Sequence, residues 1–173
     1  MYVSTGKPRR CRLRRATLAV GVAALLAPSG LQGQQATQGL EGAWLITEVA
    51  TAGPGPRTVS SPQPGLLLFT GNHYSYTLVT AEQPRRNPPR GLATVEDMLD
   101  VWNPFSANAG TFEVSGNSMT RRPIVAKNPD TMAPGAFNEY TFRLSADTLW
   151  VTTVGTEGGP SRNPSTVRYV RVR

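Results

Sequence analysis

The sequence predicts an all-β domain, an antiparallel up-and-down barrel of eight strands with one short helix between the third and fourth, behind a cleavable export signal. Three observations predict it. Short apolar, β-branched and aromatic runs recur from Leu40 to the end, Gly-Asn and Ser-Ala-Asp turns join them into sequential hairpins, and the N-terminus places a basic stretch before a single apolar run. Sequential hairpins pair neighbouring strands in order, and closing such a meander into a barrel removes its two exposed edges.

The N-terminal segment explains the charge. The chain carries a formal +7, but six of its 18 basic residues (Lys7, Arg9, Arg10, Arg12, Arg14 and Arg15) precede the apolar run, and no acid occurs before Glu41. The remainder holds 12 basic and 11 acidic residues, so the high pI describes a targeting peptide and excludes a nucleic-acid-binding surface. Ala16 to Ala27 follows as a twelve-residue apolar run, then Pro28, Ser29 and Gly30. As a helix, such a run rises about 18 Å, short of the roughly 30 Å hydrocarbon core, which argues for a cleaved signal and against a membrane anchor. The expected organisation is a signal over residues 1–33, a linker over 34–39 and the barrel over 40–173, with the mature protein periplasmic or secreted. The pair Arg9-Arg10 leaves the export route open. Cys11, the single cysteine, lies upstream of the apolar run, so a mature chain has no disulfide, no thiolate nucleophile and no cysteine-ligated metal.

The strands follow in order. Ala43 to Ala50 is the first; Leu66 to Thr70 and Tyr74 to Val79 form a hairpin through Gly71-Asn72. Thr111 to Val114 turns through Gly116-Asn117 into Met119 to Arg122, continuing to Ile124-Val125. Tyr140 to Leu144 and Leu149 to Thr153 form a third hairpin through Ser145-Ala146-Asp147, and Thr166 to Arg173 closes the set. Thr94 to Phe105 is the helix: Thr94 suits the cap, Glu96 and Asp97 suit the positive end, and Val95, Met98, Leu99 and Trp102 recur at helical spacing before Pro104 stops it. Its apolar stripe predicts a lid over one barrel end.

Gly42-Ala43-Trp44 at the first strand and Tyr169 to Arg173 at the last resemble the calycin arrangement, in which a first-strand Trp plugs the barrel against a last-strand Arg. Pro64 to Tyr76, Gly110 to Asn117 and Pro123 to Pro129 are similar to segments of the bacterial lipocalin-like domain proteins, and the resemblance spans about Leu40 to Arg173. It implies the barrel, a plug made by Gly42, Trp44 and Arg171, and binding of a small hydrophobic or amphiphilic ligand. It implies no catalytic residues and no cofactor. Arg121-Arg122 stands where the resemblance implies an aromatic residue and a His in many relatives, which puts shared site chemistry at that strand in question.

Candidate site residues follow from strand alternation. If Trp44 points inward, so does Glu48, and Arg122, Arg143 or Arg171 could pair with it. Tyr74, Tyr76, Tyr140 and Trp150 on the strands, with Trp102 and Phe105 at the end of the helix, would line the mouth. His73, the single histidine, follows a turn and reads as a solvated hairpin residue, and no metal-ligand spacing is present. The leading reading is an exported binding module. A barrel isomerase or hydrolase using Glu48, Arg122 and a tyrosine is the second, and a structural domain whose aromatics fill its core is the third.

Overall fold

The structure, a computed structural model, describes residues 37–88 and 90–173, so the expected signal over residues 1–33, with Cys11, lies outside the described residues. The strands are β1 (Gly42–Thr51), β2 (Arg57–Val59), β3 (Gly65–Thr70), β4 (His73–Val79), β5 (Phe105–Ser115), β6 (Ser118–Ala126), β7 (Asn138–Ser145), β8 (Thr148–Thr156), β9 (Gly159–Pro160) and β10 (Ser165–Arg171). A helix α1 (Val95–Trp102) lies between β4 and β5, and a 3-10 turn spans Pro129–Met132. All pairings are antiparallel. The order β1-β3-β4-β5-β6-β7-β8 closes through β10, which pairs with both β8 and β1, giving the expected eight-stranded up-and-down barrel. The short β2 and β9 are flaps on β1 and β8.

Turn chemistry sets the hairpins. Gly71 and Gly116 take φ of 55° and 60° at the first turn position, a region that costs a residue with a Cβ about 1–2 kcal/mol. Ala146 occupies the same region at φ 49° in the β7–β8 turn.

Two expected strands are longer than their β-rich runs suggest. β5 begins at Phe105, because the small residues Ser106 to Gly110 pair along β4 despite weak strand propensity. β6 runs through Pro123, which is accommodated where the register of β5 against β6 shifts between Ala109 and Gly110.

The core is a single cluster of Leu40, Trp44, Leu67, Phe69, Tyr74, Phe112, Met119, Leu149, Val151 and Tyr169. Residues 37–40 are helical and lie against the barrel, and Leu40 is fully buried. Helix α1 is capped as its sequence suggests: the Thr94 hydroxyl accepts from the Asp97 amide, and the Asp97 carboxylate accepts from the Thr94 amide at 2.9 Å. These bonds hold the exposed Asp97 carboxyl below its ordinary pKa. The helix ends at Trp102 rather than Phe105, which belongs to β5.

The expected lid does not form. Val95, Met98, Leu99 and Trp102 are all exposed, Trp102 by 53%, and no residue of α1 is buried. The helix is held instead by its C-terminus, where the Lys127 ammonium donates to the carbonyls of Trp102, Asn103 and Phe105.

A candidate ligand site at the open end of the barrel

One end of the barrel is plugged. Trp44 is fully buried, its indole N–H donates to the Leu40 carbonyl at 2.8 Å, and the Arg171 guanidinium lies 4.1 Å from its ring centroid. Arg171 also donates to the carbonyls of Glu41 and Gly39 at 2.5 and 2.6 Å. Gly42 sits at φ 114°, and a Cβ there would meet Arg171 Nη1 at 3.2 Å, so the glycine lets the arginine reach across the end.

The other end is open. Two clefts flank Thr80. One, of about 200 Å³, is walled by Ile46, Val49, Val59, Leu78 and Val167, with Arg57 and Glu82 paired at its rim. The second, of about 360 Å³, runs between β4, β5 and β6 and is bounded by Phe105, Lys127 and Thr131, with Tyr76 and Asn108 also in its lining.

Next to the second cleft is a buried polar layer. The Tyr74 hydroxyl donates to Asn108 Oδ1 at 2.5 Å, and the Tyr74 and Tyr76 rings stack at 6.5 Å. Arg121 is 3% exposed, with its guanidinium 5.3, 5.1 and 4.6 Å from the ring centroids of Phe69, Tyr74 and Tyr140. Its Nε donates to the weak acceptor Met119 Sδ at 3.2 Å, and its Nη2 has no hydrogen-bond partner among the described residues. Burial raises the phenol pKa of Tyr74 and Tyr140 above the ordinary range and pushes Tyr169 up to about 12, against the opposing pull of Arg121. These phenols are therefore neutral across the physiological range.

Four expected site residues are placed elsewhere. Glu48 was expected inside, but the register of β1 against β10 shifts between Ile46 and Glu48, so Ile46 and Val49 face the interior while Glu48 pairs with outward Arg168. Trp150 lies between the core residues Leu149 and Val151 and so faces out, where Arg143 stacks 3.4 Å from its ring centroid. Arg122 is exposed and lies over Phe137, because its neighbour Arg121 takes the inward position. Glu48 on β1 and Arg122 on β6 are therefore not assembled into one site. Trp102 is on the exposed helix; Phe105 reaches the cleft rim; Tyr74, Tyr76 and Tyr140 are inside.

Sequence reasoning missed Arg121, Asn108, Lys127 and Tyr169. Parity with Met119 would have found Arg121, and parity with Arg171 would have found Tyr169. Asn108 and Lys127 sit where no strand was expected and carried no such signal. Among the described residues, no three His, Cys, Asp or Glu side chains converge on a metal-sized site.

No protein-family model and no curated protein matches this sequence. The closed eight-stranded antiparallel barrel is compatible with a calycin or lipocalin-like fold.

Proposed function

We propose that this chain is an exported, lipocalin-like binding module that admits a small amphiphilic molecule through the open end of its barrel. The observation that carries the reading is the difference between the two ends: one is sealed by Trp44 and Arg171, and the other opens as two clefts, one of them reaching the polar layer of Tyr76 and Asn108. Apolar walls with a few converging polar groups are the usual make-up of a small-molecule site. Export is supported by the basic and apolar regions at the N-terminus, and the lipocalin-like assignment by the segments resembling that family together with the closed barrel. The ligand places its apolar portion against Ile46, Val49, Leu78 and Val167 or along the Phe105 side, and its polar end toward the interior tyrosines.

Thr80 tests this reading, because it lines both clefts yet is exposed. Thr80→Trp would put an indole across both entrances without disturbing the core. Titration with a fluorescent fatty-acid-like probe is expected to show affinity lowered about tenfold or more, with stability reduced by no more than about 1 kcal/mol through loss of the Thr80 hydroxyl's bond to the Pro104 carbonyl. Equal affinity of both proteins would place the probe elsewhere, and no binding by the parent would overturn the reading.

A further inference from the structure

We propose that Arg121 is the receptor for a single carboxylate, so that the ligand of this barrel is a monocarboxylic amphiphile. The inference rests on the binding reading above and adds the head-group chemistry.

The first observation is electrostatic. Arg121 brings a guanidinium, a group charged at any ordinary pH, into the barrel interior, and among the described residues the ionisable side chains around it are the phenols of Tyr74 on β4, Tyr140 on β7 and Tyr169 on β10. Burial keeps Tyr74, Tyr140 and Tyr169 protonated, so none of the three neutralises it. The acids on neighbouring strands, Glu113 and Glu139, are exposed. Aromatic faces compensate a cation only in part, and a buried charge without an ionic partner is costly.

The second observation is geometric. Among the described residues Nη2 is buried and unpartnered, and Nε reaches only a thioether sulfur. The three rings hold the guanidinium in place, which fixes its donors before a ligand arrives. A planar fork with an open N–H suits a carboxylate, which accepts two parallel hydrogen bonds. One positive charge is balanced by a monoanion; a phosphate dianion would leave a net negative charge in a low-dielectric interior. Arg121 itself lines neither cleft; the second comes nearest, since Tyr76 and Asn108 line it and Asn108 bonds the Tyr74 whose ring covers Arg121, so a carboxylate entering there reaches the guanidinium by displacing the Tyr74–Asn108 pair.

The experiment compares decanoate, methyl decanoate and decanol by calorimetric titration against the parent chain and Arg121→Met. The parent is expected to bind decanoate about tenfold or more tightly than the ester or alcohol. Arg121→Met, which keeps a long apolar side chain, is expected to bind all three with similar affinity. An acid preference that survives in Arg121→Met would overturn the proposal, as would parent binding that ignores the head group. If the parent binds none of the three, the amphiphile reading itself fails and this inference with it. Should Arg121→Met not fold, labelled decanoate on the parent decides: nuclear Overhauser contacts from its α-methylene to the Tyr74 and Tyr140 rings are expected, and contacts from its terminal methyl instead would overturn the assignment.

Discussion

Trp44 and Arg121 show how one side chain is given its role by its neighbours. Trp44 combines complete burial, a hydrogen bond to Leu40 and a guanidinium on its face, so its removal opens a large cavity and takes away the ring on which Arg171 lies. Trp44→Ala is expected to cost about 3–5 kcal/mol, read as a lower urea midpoint with an unchanged slope. Arg171→Met is expected to cost less, about 1–3 kcal/mol, because the indole stays buried while the Gly39 and Glu41 carbonyls lose their donors. If Trp44→Ala melts like the parent, the plug does not hold the barrel closed. Arg121 is the opposite case, a buried charge whose surroundings are aromatic and which forms no ion pair among the described residues.

At the scale of the element, register shifts decide more than propensity. The β5–β6 bulge depends on Gly110: a Cβ there would lie 2.0 Å from the Arg122 carbonyl oxygen, a backbone atom that cannot swing aside. Gly110→Ala is therefore expected to destabilise the protein by about 2 kcal/mol or more, measured by urea unfolding, whereas Gly→Ala at an unconstrained site stabilises slightly. The β7–β8 turn predicts the reverse sign. Ala146 holds φ 49°, so Ala146→Gly is expected to be neutral or to raise stability by up to about 1 kcal/mol, and a clear loss would show that the Ala methyl is doing something the turn geometry does not reveal. Helix α1 was readable to its cap and its stop, since Thr94, Asp97 and Pro104 act within one or two turns. Where its stripe would go was not readable, because the periodicity that defines an apolar face says nothing about what lies opposite it. Here Lys127 anchors the end of the helix and leaves that face open.

Considered as a whole molecule, the barrel concentrates phenols in its interior, and this makes its stability depend on alkaline pH. Burial pushes the Tyr169 phenol up to about 12 from its ordinary 10.0, and Tyr74 and Tyr140 are shifted in the same direction. Folded pKa values above the unfolded ones mean that the native state retains protons that the unfolded state gives up. The stabilisation is thus full below about pH 10 and falls as the pH rises from there through the folded values. Unfolding free energies measured from neutral pH upward are expected to be flat to about pH 10 and then to drop, with the tyrosinate absorbance of Tyr74, Tyr140 and Tyr169 appearing together with loss of the fold. The full tyrosinate absorbance of the chain appearing near pH 10 in a protein that stays folded would show that these three phenols are open to water.

The sequence by itself determined the architecture. Period-two runs, Gly-Asn turns and the pairing of neighbours are local properties, each written within about ten residues, and a meander of eight such strands has few ways to bury its inner face other than closure. The same local reading identified Tyr74, Tyr76 and Tyr140 as aromatic strand residues, all three of which face the interior. Tertiary structure alone decided the identity of the charged group inside the barrel and the sealing of one end but not the other. The physical reason is parity. A strand's inward set is correct only up to its next bulge, and each bulge, at Ile46/Glu48, at Ala109/Gly110 and at Glu139/Tyr140, is set by pairing with another strand far along the chain. One such shift turned Glu48 out, and a one-residue difference in facing put Arg121 in the barrel in place of Arg122.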